Sequence, residues 1–201
     1  MGNYDKMAEQ AGRIFLEHDQ DELLGRYPLA HDERFIFIVF LGDEYRIDRA
    51  TGAVLRGEAP ASPRQALSIL DMVCNRVGAP YLTGEWRTMQ ETSGATNAPA
   101  TSALFEKRIA GFAGEADRLR HACKTLGGTP VPGGEVSYLI EVFEGFPTWL
   151  QFWDADEEFG AEMRFLWDKA TPLYLHFETL WYILYEILDR LAEECPDSQG
   201  T

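Results

Sequence analysis

The stretch from Phe146 to Asp168, FPTWLQFWDADEEFGAEMRFLWD, places the strongest constraint on the fold of this chain. Two short runs rich in aromatic and apolar residues flank a cluster of acids, and a long amphipathic segment follows at once. Short apolar runs with aromatic residues are typical of β-strands, whereas the acids between them suit an exposed turn. The pattern therefore predicts a strand, an acidic loop and a second strand, packed by the helix that follows.

That helix is predicted from about residue 171 to residue 194. Apolar residues recur along it at steps of three and four, and Tyr174, Trp181 and Leu188 widen the apolar arc beyond half of the circumference. A helix this apolar is expected to pack on a sheet and on another element as well. His176 falls within the apolar arc, which favours a core histidine bonded to a backbone carbonyl over a ligand or an acid–base group.

The first half of the chain shows the same order of elements. Residues 34–57 are expected to form three antiparallel strands, and residues 63–77 a helix that opens with a capping box of Ser62 and Gln65. A second strand meander spans 136–167, so the chain is predicted to be α+β, with one antiparallel sheet from both meanders packed by helices. Internal duplication is a hypothesis, and it requires the two meanders to share their strand order.

The remaining segments fit a single α+β domain over residues 1–201. A helix is predicted over 3–24, and the segment 81–101 has no sustained periodicity, which predicts a long loop. Helical spacing resumes from residue 104 and continues to residue 126, as one kinked helix or two short ones.

Composition excludes several classes of protein. The 201 residues carry 33 acids against 18 bases, a net charge of −15, which disfavours nucleic acid as a partner because that binding depends on cationic contacts to phosphate. No apolar run approaches the roughly 20 residues of a membrane span, so no membrane contact is expected. The three cysteines are widely spaced, which favours a reducing cytoplasm and argues against a cysteine-bound metal cluster.

Motifs for several chemistries are missing from the sequence. It has no phosphate-binding loop, dinucleotide fingerprint, serine-hydrolase elbow or paired-histidine metalloprotease motif. The sequence therefore implies no particular cofactor, and no residue is assigned as a metal ligand. Oligomeric state stays open, and a small molecule or a protein remains the expected partner.

The first candidate site is the acidic loop of Asp154, Asp156, Glu157 and Glu158. Oxygen ligands in a turn suit calcium or magnesium, and the loop begins D-x-D-x-E as an EF-hand does. An EF-hand needs Gly and Glu at its sixth and twelfth places, but Phe159 and Phe165 stand there, so this type of site is excluded. A different metal site and a charged hairpin loop with one acid bonded to turn amides remain as alternatives. Phe159 is expected to pin the loop to the core.

The second candidate lies in the predicted long loop, where Glu85 and Trp86 place a carboxylate beside a large ring. Such a pair can form the wall of a ligand site or anchor the loop. Asp168, at the end of the last predicted strand, can cap a helix or face a site at the end of the sheet. Glu178, on the border of the polar face of the terminal helix, and His176 complete the candidate residues.

Four segments carry a resemblance to a known family: FLG-x-x-Y-x-ID at 40–48, LTGEW at 82–86, LGG at 126–128 and the long stretch 146–178. Together they resemble the bacterial and archaeal family described as domain of unknown function 3786. The resemblance implies a fold and no established activity. Some relatives carry an added iron–sulfur segment or occur in anaerobes with corrinoid and one-carbon metabolism. This chain lacks a four-cysteine run, and it departs from the family pattern at Gly160 and in 94–103, which weakens the case for a site in a loop.

Three functions follow as hypotheses. The first is a non-catalytic accessory protein of anaerobic metabolism that binds a small ligand or a partner near 83–86 and 154–158. The second is a carboxylate-based enzyme, with or without a divalent metal, that uses Glu85 and the acids of the loop. The third is an acidic module for protein–protein interaction.

Overall fold

The computed structural model describes residues 2–93 and 101–194 of the chain. The strands are β1 (Phe35–Phe40), β2 (Asp43–Asp48), β3 (Val54–Arg56), β4 (Ala59–Pro60), β5 (Trp86–Thr88), β6 (Thr129–Pro130), β7 (Val136–Phe143), β8 (Phe146–Trp153) and β9 (Glu162–Asp168). The helices are α1 (Asn3–Glu17), α2 (Gln20–Arg26), α3 (Pro63–Asn75), α4 (Met89–Ser93), α5 (Thr101–Ala110), α6 (Ala116–Thr125) and α7 (Phe177–Glu194).

All strands join one antiparallel sheet in the order β4-β3-β2-β1-β7-β8-β9-β5, with β6 beside β7. The α+β prediction is confirmed. The innermost strands, β1 and β7, pair at Phe40 and Phe143, so each meander runs outward from the centre of the sheet. The two meanders therefore share their strand order, and each is followed by a helix. This is the arrangement that duplication requires, and duplication itself stays a prediction.

One face of the sheet carries the core. Along β8 and β9 the inward residues alternate with outward ones, and Leu150, Phe152, Phe165 and Trp167 are all buried. They share a single hydrophobic core with the buried face of α7. Alternation with a period of two is what a strand with one covered face requires.

Helices α3 and α7 pack together over this face, and a charged pair fixes their contact. Arg64 of α3 donates from Nε to the buried Glu186 at 3.0 Å and from Nη2 to Asp189 at 2.6 Å. The capping box predicted for α3 is present, because Ser62 Oγ accepts from the amide of Gln65 and Gln65 Oε1 accepts from the amide of Ser62.

Two predicted helix boundaries are wrong. The N-terminal helix predicted over 3–24 is two helices, because Asp19 ends the first segment and caps α2 by accepting from the amides of Asp21 and Glu22 at 3.0 and 3.1 Å. The terminal helix begins at Phe177 instead of residue 171. A separate 3₁₀ turn occupies Thr171–Leu173, and this turn ends before the helix starts.

The predicted long loop over 81–101 is also wrong in part. Strand β5 and helix α4 occupy residues 86–93, and residues 94–100 lie outside the described residues. Of the two alternatives for 104–126, one kinked helix or two short ones, the structure has the second: α5 and α6 are separated by a turn at residues 111–114. Across the part of the chain that the structure describes, no helix combines the length and the apolar character needed to cross a membrane.

Candidate functional site

Asp168 is a structural anchor at the end of β9. Its side chain is 1% exposed, and its carboxylate accepts from Thr83 Oγ1 at 2.9 Å, from the amide of Gly84 at 2.8 Å and from the amide of Ala170 at 2.8 Å. Burial raises the pKa of Asp168, but these hydrogen bonds outweigh burial, so the net pKa is lowered. The ionised carboxylate holds the turn at 83–84 against the sheet and faces no open site.

Glu85 and Trp86 follow this anchored turn. The Glu85 carboxylate lies 3.1 Å from Lys169 Nζ and 3.2 Å from Arg87 Nη2, and the bond to Lys169 is the main cause that lowers its pKa. Both partners are exposed, so water screens these pairs. Trp86 is partly buried, and its ring meets the ring of Trp149 edge-to-face with centroids 5.7 Å apart.

Trp86 belongs to a larger surface on the outward face of the sheet. Leu139, Trp149 and Leu166 are cross-strand neighbours on β7, β8 and β9, and each is partly exposed. The guanidinium of Arg164 lies 5.0 Å from the centroid of the Trp153 ring. We call this surface the tryptophan face; its residues are Trp86, Leu139, Trp149, Gln151, Trp153, Arg164 and Leu166.

Sequence reasoning missed most of the tryptophan face. The signal was present in the run WLQFW, in which Trp149, Gln151 and Trp153 alternate with buried residues and so share one side of β8. The contribution of Trp86 could not be read in this way, because β5 joins β9 from a distant part of the chain.

Turn hydrogen bonds engage the first two acids of the acidic loop. Asp156 Oδ1 accepts from the amides of Glu158 and Phe159 at 2.8 and 2.7 Å, and these backbone bonds lower its pKa. Asp154 Oδ1 accepts from the amide of Gly114 at 2.8 Å, which ties the loop to the turn before α6. The loop therefore has the turn chemistry of a charged hairpin.

The prediction that Phe159 pins the loop to the core is wrong, because its side chain is 70% exposed and Asp154 makes the tie instead. Glu157 and Glu158 point into solvent as exposed residues. Within residues 2–93 and 101–194, no three histidine, cysteine, aspartate or glutamate residues are grouped closely enough to hold a metal ion.

The two predicted halves of the site lie at opposite ends of β9. Asp168, at one end, pairs with Trp86, whereas Glu162, at the other end, pairs with Trp153 just before the acidic loop. The six residue-to-residue steps from Glu162 to Asp168 along an extended strand separate these ends by about 20 Å. Glu85 and the acids of the loop therefore do not form one site.

His176 is not the core histidine that its position on a helical wheel predicted. Its side chain is 64% exposed, its ring Nδ1 lies 2.5 Å from Asp71 Oδ1, and its amide donates to Asp71 Oδ2 at 2.9 Å. The prediction failed because α7 begins at Phe177, so His176 lies outside the helix and helical periodicity does not set the direction of its side chain. Glu178 is exposed in the first turn of α7, where a negative charge is favoured by the helix dipole.

Six carboxylates lack one property of a general acid, because their pKa is lowered: Asp32, Asp48, Glu85, Glu91, Asp156 and Asp168. A carboxyl group that donates a proton near neutral pH needs a raised pKa. These six groups are therefore suited to structural bonds and ion pairs.

A family model described as "Domain of unknown function (DUF3786)" matches residues 19–189 of the chain. The match runs from the cap of α2 into the last turns of α7, so it includes both the tryptophan face and the acidic loop. No curated protein and no solved structure matches the chain.

Proposed function

The chain belongs to the DUF3786 family, and from its tryptophan face we propose that it is a non-catalytic binding protein for a small ligand with a flat apolar surface. The observation that carries this proposal is the pair of Trp86 and Trp149, held edge-to-face on the side of the sheet turned away from the core. An open face of an antiparallel sheet is usually polar. Partly exposed tryptophans on strands offer a stacking surface to a planar ring.

The rings are held in place before any ligand arrives. Trp149 Nε1 donates to Ser137 Oγ at 2.8 Å, and Trp86 is positioned by its pairing with Asp168, which anchors the preceding turn. Fixed side chains reduce the entropy lost on binding. Arg164 and Gln151 border the rings and supply hydrogen-bond donors for polar groups at the edge of the ligand.

The lowered pKa values of Glu85, Asp156 and Asp168 support a binding role over an enzyme that uses these three residues as general acids. The separation of Glu85 from the acidic loop also argues against an enzyme that uses both, because a general acid and a general base must lie within reach of the same substrate. An accessory role in anaerobic metabolism is part of the proposal and rests on the family resemblance.

The proposed location is the cytoplasm, with no nucleic acid as partner. Cys74 and Cys123 are buried and are not joined in a disulfide, which suits a reducing compartment, and Cys195 lies outside the described residues. The net charge of −15 opposes binding to a polyanion.

A ligand panel tests the proposed binding surface. Purine and pyrimidine nucleosides, aromatic carboxylates and hexoses are each titrated against the protein, while thermal unfolding and tryptophan fluorescence are recorded. We expect at least one class to raise the melting temperature and to change the fluorescence, and Trp86→Ala to remove both effects. The control is Tyr4→Ala, which alters an exposed aromatic residue in α1 and should leave the rise in melting temperature and the change in fluorescence intact. No response in any class, or a response that Trp86→Ala leaves intact, would contradict the proposal.

A further inference from the structure

Arg76 is a buried cation without a counter-ion among the described residues. It follows the last residue of α3, and its side chain is 2% exposed. Its Nε donates to the carbonyl oxygen of Gly78 at 3.0 Å. Both terminal nitrogens, Nη1 and Nη2, are buried and have no hydrogen-bond partner. The guanidinium group therefore presents unfilled donors to the inside of the protein.

Such a group is unfavourable unless something compensates for it. Burial lowers the pKa of Arg76, but a guanidinium group stays protonated in proteins, so it cannot escape by neutralisation. The ring of Tyr27, with its centroid 3.0 Å from Arg76 Cζ, and the carbonyl end of α3 stabilise the charge in part. The side chain of Tyr27 also opposes the lowering of the Arg76 pKa, but the geometry of the two side chains leaves Nη1 and Nη2 without an aligned acceptor.

The segment 77–82 runs beside this guanidinium group and is weakly attached. The amide of Val77 donates to Leu173 O at 3.3 Å, and the amide of Tyr81 donates to the hydroxyl of Tyr174 at 3.3 Å. The same hydroxyl donates to Ala79 O at 3.5 Å. These distances are at the long end for hydrogen bonds, so each bond is weak.

The exposed side chains of the segment 77–82 and its fixed end at Gly84 also suit a segment that can move away from Arg76. Val77, Tyr81 and Leu82 are exposed although they are large and apolar. By contrast, the next two residues, Thr83 and Gly84, are fixed by Asp168. Gly84 has a φ of +77°, which suits a turn at the fixed end. The segment is thus held firmly at Thr83 and Gly84, whereas its remaining hydrogen bonds are the one from Arg76 Nε to Gly78 O and the long bonds to Leu173 and Tyr174.

We propose that Arg76 is the centre of a binding site for a small oxyanion, a carboxylate or a phosphate group, that enters when the segment 77–82 moves aside. Two oxygens of the anion accept from Nη1 and Nη2, the planar two-point geometry for which a guanidinium group is suited. The hydroxyl of the buried Tyr174, now held in two long bonds, supplies a further donor. The Arg76 site uses no residue of the tryptophan face.

Thermal unfolding with simple anions tests the site. Inorganic phosphate, acetate and chloride are titrated at matched ionic strength, and the melting temperature is followed. Phosphate or acetate should stabilise the protein beyond chloride, and at ten times the dissociation constant the folding equilibrium should rise about 11-fold. A response to phosphate alone identifies a phosphate group as the ligand chemistry, and a response to acetate alone identifies a carboxylate. No response beyond chloride overturns the proposal.

Three variants test whether the stabilisation by the anion depends on Arg76. Arg76→Met should remove it, whereas Arg56→Met, at an arginine whose side chain is 52% exposed, should keep it. Tyr174→Phe, which keeps the ring and removes the hydroxyl, should weaken the response and gives a second readout if Arg76→Met does not fold. A response that survives both Arg76→Met and Tyr174→Phe overturns the proposal.

Hydrogen exchange provides a test that needs no variant. The amides of residues 77–79, 81 and 82 should exchange quickly in chloride and become protected when the stabilising anion is bound, because the anion closes this segment over the site. Exchange in this segment that does not change with the anion contradicts the proposed mode of entry and overturns the site.

Discussion

At the scale of single residues, two of the candidate acids, Asp168 and Asp156, act as acceptors for backbone amides. Asp168 collects three donors from the turn at 83–84 and from Ala170, and Asp156 closes its own loop. Within the acidic loop, Asp154 and Asp156 are thus engaged in local structure, whereas Glu157 and Glu158 are exposed. Arg76 shows the opposite case, since this buried cation has donors left without a partner.

Replacing Asp168 with asparagine should destabilise the fold by about 1–3 kcal/mol at pH 7, because a neutral amide cannot satisfy all of the buried donors. The folded pKa of Asp168 is lowered from its ordinary value of 3.8, so its contribution is present above that pH and is lost as the pH falls through the folded pKa. Urea unfolding at pH 7 and at pH 3 should therefore show a smaller difference between wild type and variant at the lower pH.

The control for this measurement is Glu157→Gln, which changes an exposed acid in the loop and should leave the free energy of unfolding nearly unchanged at both pH values. A difference between wild type and Asp168→Asn that stays constant from pH 7 to pH 3 would show that the charge of Asp168 does not stabilise the fold.

The acidic loop should not respond to divalent cations. Asp156 and Asp154 already accept backbone amides, and the described residues offer no group of metal ligands there. Thermal unfolding with magnesium or calcium should match that with sodium at equal ionic strength. Stabilisation specific to a divalent cation, and lost in the double variant Asp156→Asn/Glu157→Gln, would instead favour the metal-assisted enzyme.

At the scale of elements, strands β8 and β9 each have one face that packs in the core and one that faces away from it. The inward face of β9 places Trp167 in the core, where it is fully buried. The outward face of β8 keeps Trp149 partly exposed, supported by Ser137 and Trp86. The alternation that builds the fold therefore also sets out the proposed binding surface.

Replacing these two tryptophans with alanine should lower the free energy of unfolding by different amounts, because one lies on the buried face and the other on the outward face. Trp167→Ala removes a fully buried ring and should cost about 3–5 kcal/mol of unfolding free energy. Trp149→Ala removes a ring that is partly in water and should cost clearly less, because less apolar surface is transferred. Urea denaturation followed by far-UV circular dichroism measures both. Equal losses would mean that the outward face is as covered as the core.

At the scale of the whole molecule, the two meanders form one structure. Strands β1 and β7 join them in the sheet, and α3 and α7 join them through Arg64, Glu186 and Asp189. A shared core runs through both halves. The repeated order of strands and helix is visible here without strong similarity in sequence, as the duplication hypothesis expects.

Local patterns in the sequence determined much of this arrangement. The capping box of Ser62 and Gln65, the apolar runs that flank the acidic loop and the apolar repeat of the terminal helix each depend on neighbours within a few residues, so they predicted the α+β class and most strands and helices. Boundaries were predicted less well where one side chain intervenes, as Asp19 does between α1 and α2. The start of α7 was misplaced in the same way, beside the 3₁₀ turn at Thr171–Leu173.

Only the tertiary structure decided which residues meet. The sequence could not show that Trp86 packs on Trp149, that Asp168 holds Gly84, or that Arg76 is left without a partner, because each of these depends on contacts between distant segments. Local periodicity fixes the direction of a side chain, whereas burial and pairing are fixed by the whole sheet and its helices. For this reason the sequence directed attention to the acidic loop, and the folded chain directs it to the tryptophan face and to Arg76.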